Sequence, residues 1–329
     1  MTAQYDVAAI GNAIVDVLAS ADEAFLIGEN LTKGSMMLID EARAHELYAR
    51  MAPGIEASGG SAANTVAGVA SFGHSAFYVG KVASDPLGEI FAHDIRAIGV
   101  DFDAAPLTGG PATARCLVNI TPDGERTMCT FLGASVELTE SDIPAGPIEA
   151  AEILYLEGYL FDPPAARRAF EKAAFISRAA GRRIAFSLSD AFVVERHRDA
   201  LLAFIDAEVD ILFANEAEIL ALFQTPDFET AMGALMGRVK LAAVTRGGAG
   251  SLILDAAQAI AVGAESVKHV ADTTGAGDQY AAGFLAGLAR NLDLGACGRL
   301  GSLAAAEVIS HLGPRPQTPL KALAAARGL

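Results

Sequence analysis

Four short apolar runs, at 153–156, 184–188, 211–214 and 242–245, recur in the second half of the chain with helical segments near 164–180, 193–205 and 216–236 between them. A strand that is apolar along its whole length is buried on both faces, and a helix between two such strands is the crossover that a parallel pair requires. The rhythm therefore predicts right-handed βαβ units and a doubly wound, mostly parallel sheet covered on both sides. The first half continues it. Strands are expected at 7–10, 35–39 and 76–82, and helices at 41–51 behind the cap Asp40, at 60–71 before Gly73, and at 86–98 before Gly99. Two pairs of runs break the rhythm: 113–120 with 126–132 around Thr121-Pro122-Asp123-Gly124-Glu125, and 251–254 with 258–262. Both read as hairpins. A last helix is expected near 294–309.

One junction stands apart chemically. Asp272-Thr273-Thr274-Gly275-Ala276-Gly277-Asp278 runs directly into a small-residue segment of helical period, 279–288. Gly275 and Gly277 let backbone N–H groups approach a ligand, and the start of the following helix carries partial positive charge, a combination that binds phosphate. A carboxylate at Asp278 would repel that phosphate unless it serves as a base toward an attacking alcohol. Thr273, Thr274 and Asp278 are also ordinary helix-start residues, which is the plainer explanation of each taken singly.

The segment 272–278 resembles the second signature of the PfkB family of carbohydrate and nucleoside kinases, D-T-x-G-A-G-D. Ser58-Gly59-Gly60-Ser61-Ala62-Ala63-Asn64, followed by Gly80, Asp85 and Gly88, is similar to the family's first signature, with Val82-Ala83 where a glycine is common. The two lie about 210 residues apart in the family's order. The resemblance implies one ribokinase-like domain over 1–329, with a small β-rich lid from discontinuous segments about 12–40 and 108–132.

It also implies an ATP-dependent phosphotransferase acting on an alcohol. Asp278 would be the base, with Gly275, Ala276 and Gly277 the anion hole and Arg126 a contact to the transferred phosphate. Asn12, Asp16, Gly59, Gly60 and Asn64 would hold the sugar. Thr245, Gly247 and Gly250, in Thr245-Arg246-Gly247-Gly248-Ala249-Gly250, would lie beside the nucleotide, and Asn215 and Glu218 would act through water on Mg2+. Each has a structural alternative: Asn215-x-x-Glu218 is also a helix capping box, a hairpin loop explains a glycine among 247–250, and Arg126 beside Glu125 can be a surface pair. Asp272, Thr274 and the segment 310–314 resemble a monovalent-cation (K+) loop too loosely to name ligands. The context of Asn12, Asp16 and Arg126, with Leu156-Glu157-Gly158-Tyr159, resembles the adenosine-kinase-like branch, with ribose, fructose or another furanose as alternatives. Phe131, Tyr159 and Phe161 are candidate purine stackers, or core.

Composition limits the rivals. Hydrophobic residues make up 52% and charged residues 19%, so a packed core is expected throughout. A formal net charge of −16 with no Lys/Arg cluster argues against a nucleic-acid partner. Cys116, Cys129 and Cys297 are too scattered for zinc, and with no signal-like or membrane-length apolar run they suggest reduced thiols in the cytoplasm. A dinucleotide-dependent dehydrogenase would need G-x-G-x-x-G after the first strand, and a P-loop would need Ser or Thr after Lys81; neither is present. A nucleotide-binding regulatory relative remains the non-enzymatic alternative, and the assembly is expected to be a monomer or homodimer.

Overall fold

The computed structural model describes residues 3–256 and 258–329. Its strands are β1 (Tyr5–Ile10), β2 (Ile14–Ser20), β3 (Met36–Leu38), β4 (Ile55–Gly59), β5 (Ala76–Val79), β6 (Val100–Phe102), β7 (Ala114–Ile120), β8 (Arg126–Phe131), β9 (Ala151–Glu157), β10 (Arg183–Ser187), β11 (Ile211–Asn215), β12 (Leu241–Thr245), β13 (Ser251–Asp255) and β14 (Ala259–Val262). Nine form one sheet in the order β14-β13-β12-β11-β10-β9-β1-β5-β6, parallel except for the antiparallel pairs β12–β13 and β13–β14.

Alternation of side chains along these strands sends residues to two cores, one on each face. Ala8, Ile10, Leu154, Leu156, Ile184 and Phe186 pack on one side. Val7, Ala9, Ile153, Tyr155 and Ala185 pack on the other with Phe213 and Phe284. Burial on both faces is why these strands read as continuous apolar runs. From β1 the chain passes to β5 and β6 on one side, whereas from β9 it proceeds through β10, β11 and β12 on the other. The carboxyl ends of β1 and β9 therefore flank a switch point, the place where open α/β sheets bind ligands.

The other five strands form a smaller sheet in the order β3-β8-β7-β2-β4. The register aligns Asp16 with Cys116 and Cys116 with Thr130, and aligns Leu18 with Val118, Val118 with Met128, and Met128 with Met36. These rows share one face, which looks onto the cleft above the large sheet. Val15, Val17, Leu117 and Cys129 face the other way, into the core.

Several elements differ from the sequence expectation. The helix expected over 216–236 is two, Glu216–Phe223 and Phe228–Leu235. Gln224 caps the first in a left-handed conformation (φ 50°), and Pro226 follows, where a helix cannot continue. The strand β4 and the helix Leu320–Ala326 were not anticipated.

Candidate active site

A cleft of about 820 Å³ opens between the smaller sheet and the carboxyl ends of the large sheet. Its floor includes Asn12, just beyond β1, Glu157 at the end of β9, Ser187 of β10, Asn215 of β11 and Thr245 of β12. Asn12 and Glu157 meet across the switch point. The Asn12 backbone N–H and Nδ2 donate to Glu157 Oε1 at 3.2 and 2.8 Å, and Ala62 N donates to Oε2 at 2.8 Å. Burial pushes the Glu157 carboxyl up to about 7, against those three donors. With Nδ2 committed, Asn12 Oδ1 is buried in the cleft wall without a hydrogen-bond partner.

The helix Ala276–Ala289 begins at Gly275, whose φ of 76° only glycine adopts freely; a Cβ there would lie 2.7 Å from Pro314 Cα. No side chain caps this first turn, and the space beside Gly277 is open. Asp278 projects from the same turn, and both of its oxygens are engaged. Ser61 Oγ donates to Oδ1 at 2.7 Å and Asn64 Nδ2 donates to Oδ2 at 3.1 Å. Burial raises the Asp278 carboxyl above its ordinary range, and the Ser61 and Asn64 bonds pull it back. Asn64 thus reaches Asp278 directly, in addition to lining the cleft.

Asp16 lies mid-strand on the cleft face of β2. Desolvation pushes it up to about 6, opposed by Arg315 and Arg126 and reinforced by Asp278. Gly59, opposite Ile14 on β4, lies against the carboxylate: a Cβ there would be 2.4 Å from Asp16 Oδ2. Gly60 has φ 96°, and its Cβ would lie 2.1 Å from Asn12 O, so both glycines shape the wall and only Gly60 lines the cleft.

Arg126 shares the cleft face of β8 with Met128 and Thr130. Its guanidinium meets Asp272 at 2.9 Å, a buried pair and not a surface pair with Glu125. Asp272 also accepts from Thr274 N and Oγ1 and from Gly313 N.

At the far end, Asn215 and Glu218 make a complete capping box. Glu218 N donates to Asn215 Oδ1, while Asn215 N and Nδ2 donate to the two Glu218 oxygens. Both residues also border the cleft, as do Thr245 and Gly247. Gly250 does not. It forms the turn into β13, where a Cβ would lie 2.1 Å from Val262 O, so the hairpin accounts for this glycine.

Comparison with known proteins identifies the family. Residues 37–321 match the description "pfkB family carbohydrate kinase". The chain belongs to the pfkB family. Among solved structures it is similar to an adenosine kinase from Sinorhizobium meliloti (51% identity, covering 99% of this chain and 100% of that one, TM-score 0.91). It is also similar to a probable sugar kinase from Rhizobium etli CFN 42 (47% identity, 99% of each chain, TM-score 0.92). A fructokinase of Salmonella typhimurium is 29% identical over 245 residues, 72% of this chain and 78% of that protein. The pfkB chain is accordingly an ATP-dependent phosphotransferase of the ribokinase-like fold, with relatives that divide between nucleoside and free-sugar kinases.

For a pfkB kinase the aromatic stacking expectation needs correction. Phe161 is 1% exposed and packs edge-on against Phe170, Phe186 and Phe204, so it is core. Phe131, one residue out of phase with Thr130, faces away from the cleft toward the Arg115 guanidinium. Only Tyr159 of the three borders the cleft. The sequence reading also missed Arg315, one residue beyond the segment it singled out. Arg315 Nε donates to Asn64 Oδ1 at 3.3 Å, and Nη1 donates to Ser58 Oγ at 2.6 Å and Asp94 Oδ2 at 3.3 Å. Among the described residues no group of three or more His, Cys, Asp or Glu converges to hold a metal ion, and no helix is long and apolar enough to cross a membrane.

Proposed function

We propose that this kinase phosphorylates the 5′-hydroxyl of a purine nucleoside, adenosine first. The observation that carries the reading is the aliphatic wall above Asp16. Ile14, Leu18, Met36, Leu38, Val118, Met128 and Leu132 border the cleft, and Met36 and Leu38 remain 53% and 63% exposed. A free furanose has hydroxyls on every edge and leaves such a wall facing polar groups, whereas a nucleobase covers it. The 51% identity to a chain described as an adenosine kinase supports the same choice.

In this reading Asp16 accepts hydrogen bonds from the vicinal diol of the ribose, and the free Asn12 Oδ1 takes another hydroxyl. Asp278, with Ser61 and Asn64 holding it from one side, takes the proton of the 5′-hydroxyl as that oxygen forms a bond to the γ-phosphorus. The bond to the departing ADP oxygen breaks. The N–H groups of Gly275 and Gly277 and the Arg126 guanidinium face the charge that spreads over the transferred group, whereas the Ala276 N–H donates to Thr273 O at 3.2 Å. Thr245 and Gly247 border the nucleotide end. Mg2+ would be carried by the nucleotide and would neutralise phosphate charge; the Glu218 oxygens already accept from Asn215, which fits a contact through water. A monovalent cation at Asp272 would compete there with Arg126.

The test is steady-state kcat/KM with ATP and Mg2+ for adenosine, ribose and fructose, repeated on Leu18→Asn. Adenosine should be preferred, and Leu18→Asn should lower its kcat/KM about tenfold or more while changing ribose little. Higher efficiency with ribose or fructose would overturn the nucleoside reading and leave the kinase assignment in place.

A further inference from the structure

We propose that Arg315 is a positioning residue for phosphoryl transfer: it fixes the Asn64 amide so that Nδ2 faces Asp278, and it sets a largely buried positive charge beside Asp16. The inference rests on Asp278 being the base.

The geometry follows from donor and acceptor chemistry. A guanidinium can only donate, so the amide atom of Asn64 that faces Arg315 Nε at 3.3 Å is the oxygen. The NH2 group is thereby turned toward Asp278, which it meets at 3.1 Å. An inverted amide would set nitrogen against Arg315 and oxygen against the carboxylate, repulsive at both ends. The Asn64 backbone is further pinned, since its main-chain carbonyl oxygen accepts from Gln279 Nε2 at 2.9 Å, one residue beyond the base. With Ser61 on Oδ1 and Asn64 on Oδ2, the remaining lone pairs of Asp278 are left for the substrate proton.

Arg315 itself is 17% exposed, and its Nη2 is buried with no partner. Burial pulls the guanidinium below its ordinary range, and the groups that oppose this are Asp94 on the helix Pro86–Ala97, Asp16 on β2 and Tyr78 on β5. Asp278 on the helix Ala276–Ala289 is reached through Asn64. Arg126 from β8 acts on Asp16 from the other side, and Glu157 at the end of β9 feels Asp278. Arg315 is therefore the cation set behind a cluster of carboxylates, while Arg126 stands in front of it.

The experiment is the pH dependence of kcat and KM, between about pH 5.5 and 8.5, for the full chain and for Arg315→Met, Arg315→Lys, Asp94→Asn and Asp278→Asn, with the best acceptor from the panel above. Arg315→Met should lower kcat about 100-fold with the KM for ATP within about twofold, and turnover at pH 6 should fall about tenfold further than at pH 8. Arg315→Lys keeps the charge and loses the fixed fork, so the pH profile should return and kcat should not. Asp94→Asn leaves the guanidinium less neutralised and should move the acid limb to lower pH, the opposite direction. A wild-type profile and kcat in Arg315→Met overturns the proposal. Should that variant fail to fold, unmoved acid limbs in both Arg315→Lys and Asp94→Asn overturn it. Near-wild-type turnover in Asp278→Asn removes the base itself, whereas an inactive Asp278→Asn beside unaltered Arg315 variants removes only the role given to Arg315.

Discussion

Arg126 of the smaller sheet and Asp272 of the phosphate loop form an ion pair at 2.9 Å with side chains only 7% and 6% exposed. It joins the two walls of the cleft at the point where the transferred group is expected. Asp272 also holds Thr274 and the backbone of Gly313, so the carboxylate organises the loop, while Arg126 Nε and Nη2 have no hydrogen-bond partner among the described residues and the contact with Asp272 is a close ion pair alone. A phosphoryl group arriving at the Gly275–Gly277 turn would compete with Asp272 for the guanidinium. Under the proposed function, the pair would then link the smaller sheet to what occupies the Gly275–Gly277 turn.

The coupling should be visible in stability. Asp272→Ala strands a buried guanidinium and three donors, and is expected to cost about 3–5 kcal/mol. Arg126→Met leaves the carboxylate with Thr274 and Gly313 and should cost less, yet lower kcat about 100-fold. Denaturant unfolding of the two single variants and the double variant should give a coupling energy of about 1–3 kcal/mol. Strict additivity would show that the pair does not act as a unit.

Under the proposed function, Asp16 should tie substrate binding to pH. Its folded value, pushed up from 3.8 to about 6 chiefly by burial, means that the folded chain holds this proton more tightly than the unfolded chain does. The associated stability is fully present below about pH 4 and is lost as the pH rises through about 6. Asp16→Asn removes the titration, so the stability of the variant relative to wild type should increase between pH 4 and pH 7, by on the order of 2 kcal/mol. The same variant should weaken the acceptor far more than ATP. A pH-independent difference in Tm would show that Asp16 is not held in a desolvated site.

The contiguous parts of this site were legible because their chemistry is local. Glycine at 275 and 277, acid at 278 and a small-residue helix behind them can be read from one stretch, whereas Asp16 stands out only through the family resemblance, the strand that carries it not being marked by its sequence. Period-two alternation would also have excluded Phe131 once the register placed Arg126, Met128 and Thr130 on the cleft face, but that register requires knowing which strands pair. Residues 58, 64, 94 and 315 meet only through tertiary folding. No spacing announces that an arginine between two prolines is the cation behind the base. The break at Gln224 was missed for a different reason: the apolar periodicity resumes after Pro226 and hides the interruption.

Glu218 caps a helix, and under the proposed function it would also contact Mg2+ through water; one substitution separates the two. Asn215 donates to both of its oxygens, at 2.9 and 2.7 Å, and a glutamine side chain in its place would offer only one acceptor to those two donors. Glu218→Gln should therefore lose about 1 kcal/mol of stability, as weakened caps do. It should also raise the Mg2+ concentration needed for half-maximal rate several-fold, with the acceptor KM unchanged. A lower Tm with the Mg2+ dependence of the wild type would assign the carboxylate to the helix cap alone.

Asp278→Asn isolates the chemistry because the surroundings can accept the amide. Asn64 Nδ2, fixed as a donor by Arg315, pairs with the new amide oxygen. The Ser61 hydroxyl, which donates to Asp278 Oδ1 at 2.7 Å, can reverse and accept from the new NH2. Every hydrogen bond is conserved, and the charge that burial disfavours is gone, so the variant should be at least as stable as the wild type at pH 8. ATP affinity should stay within about threefold, since the first-turn N–H groups are backbone. Only the proton acceptor is missing, and turnover should fall by about 10²–10⁴. Single-turnover rates beside equilibrium nucleotide binding distinguish the cases: a variant that binds ATP normally and still transfers phosphate at a rate near that of the wild type would show that Asp278 does not take the proton.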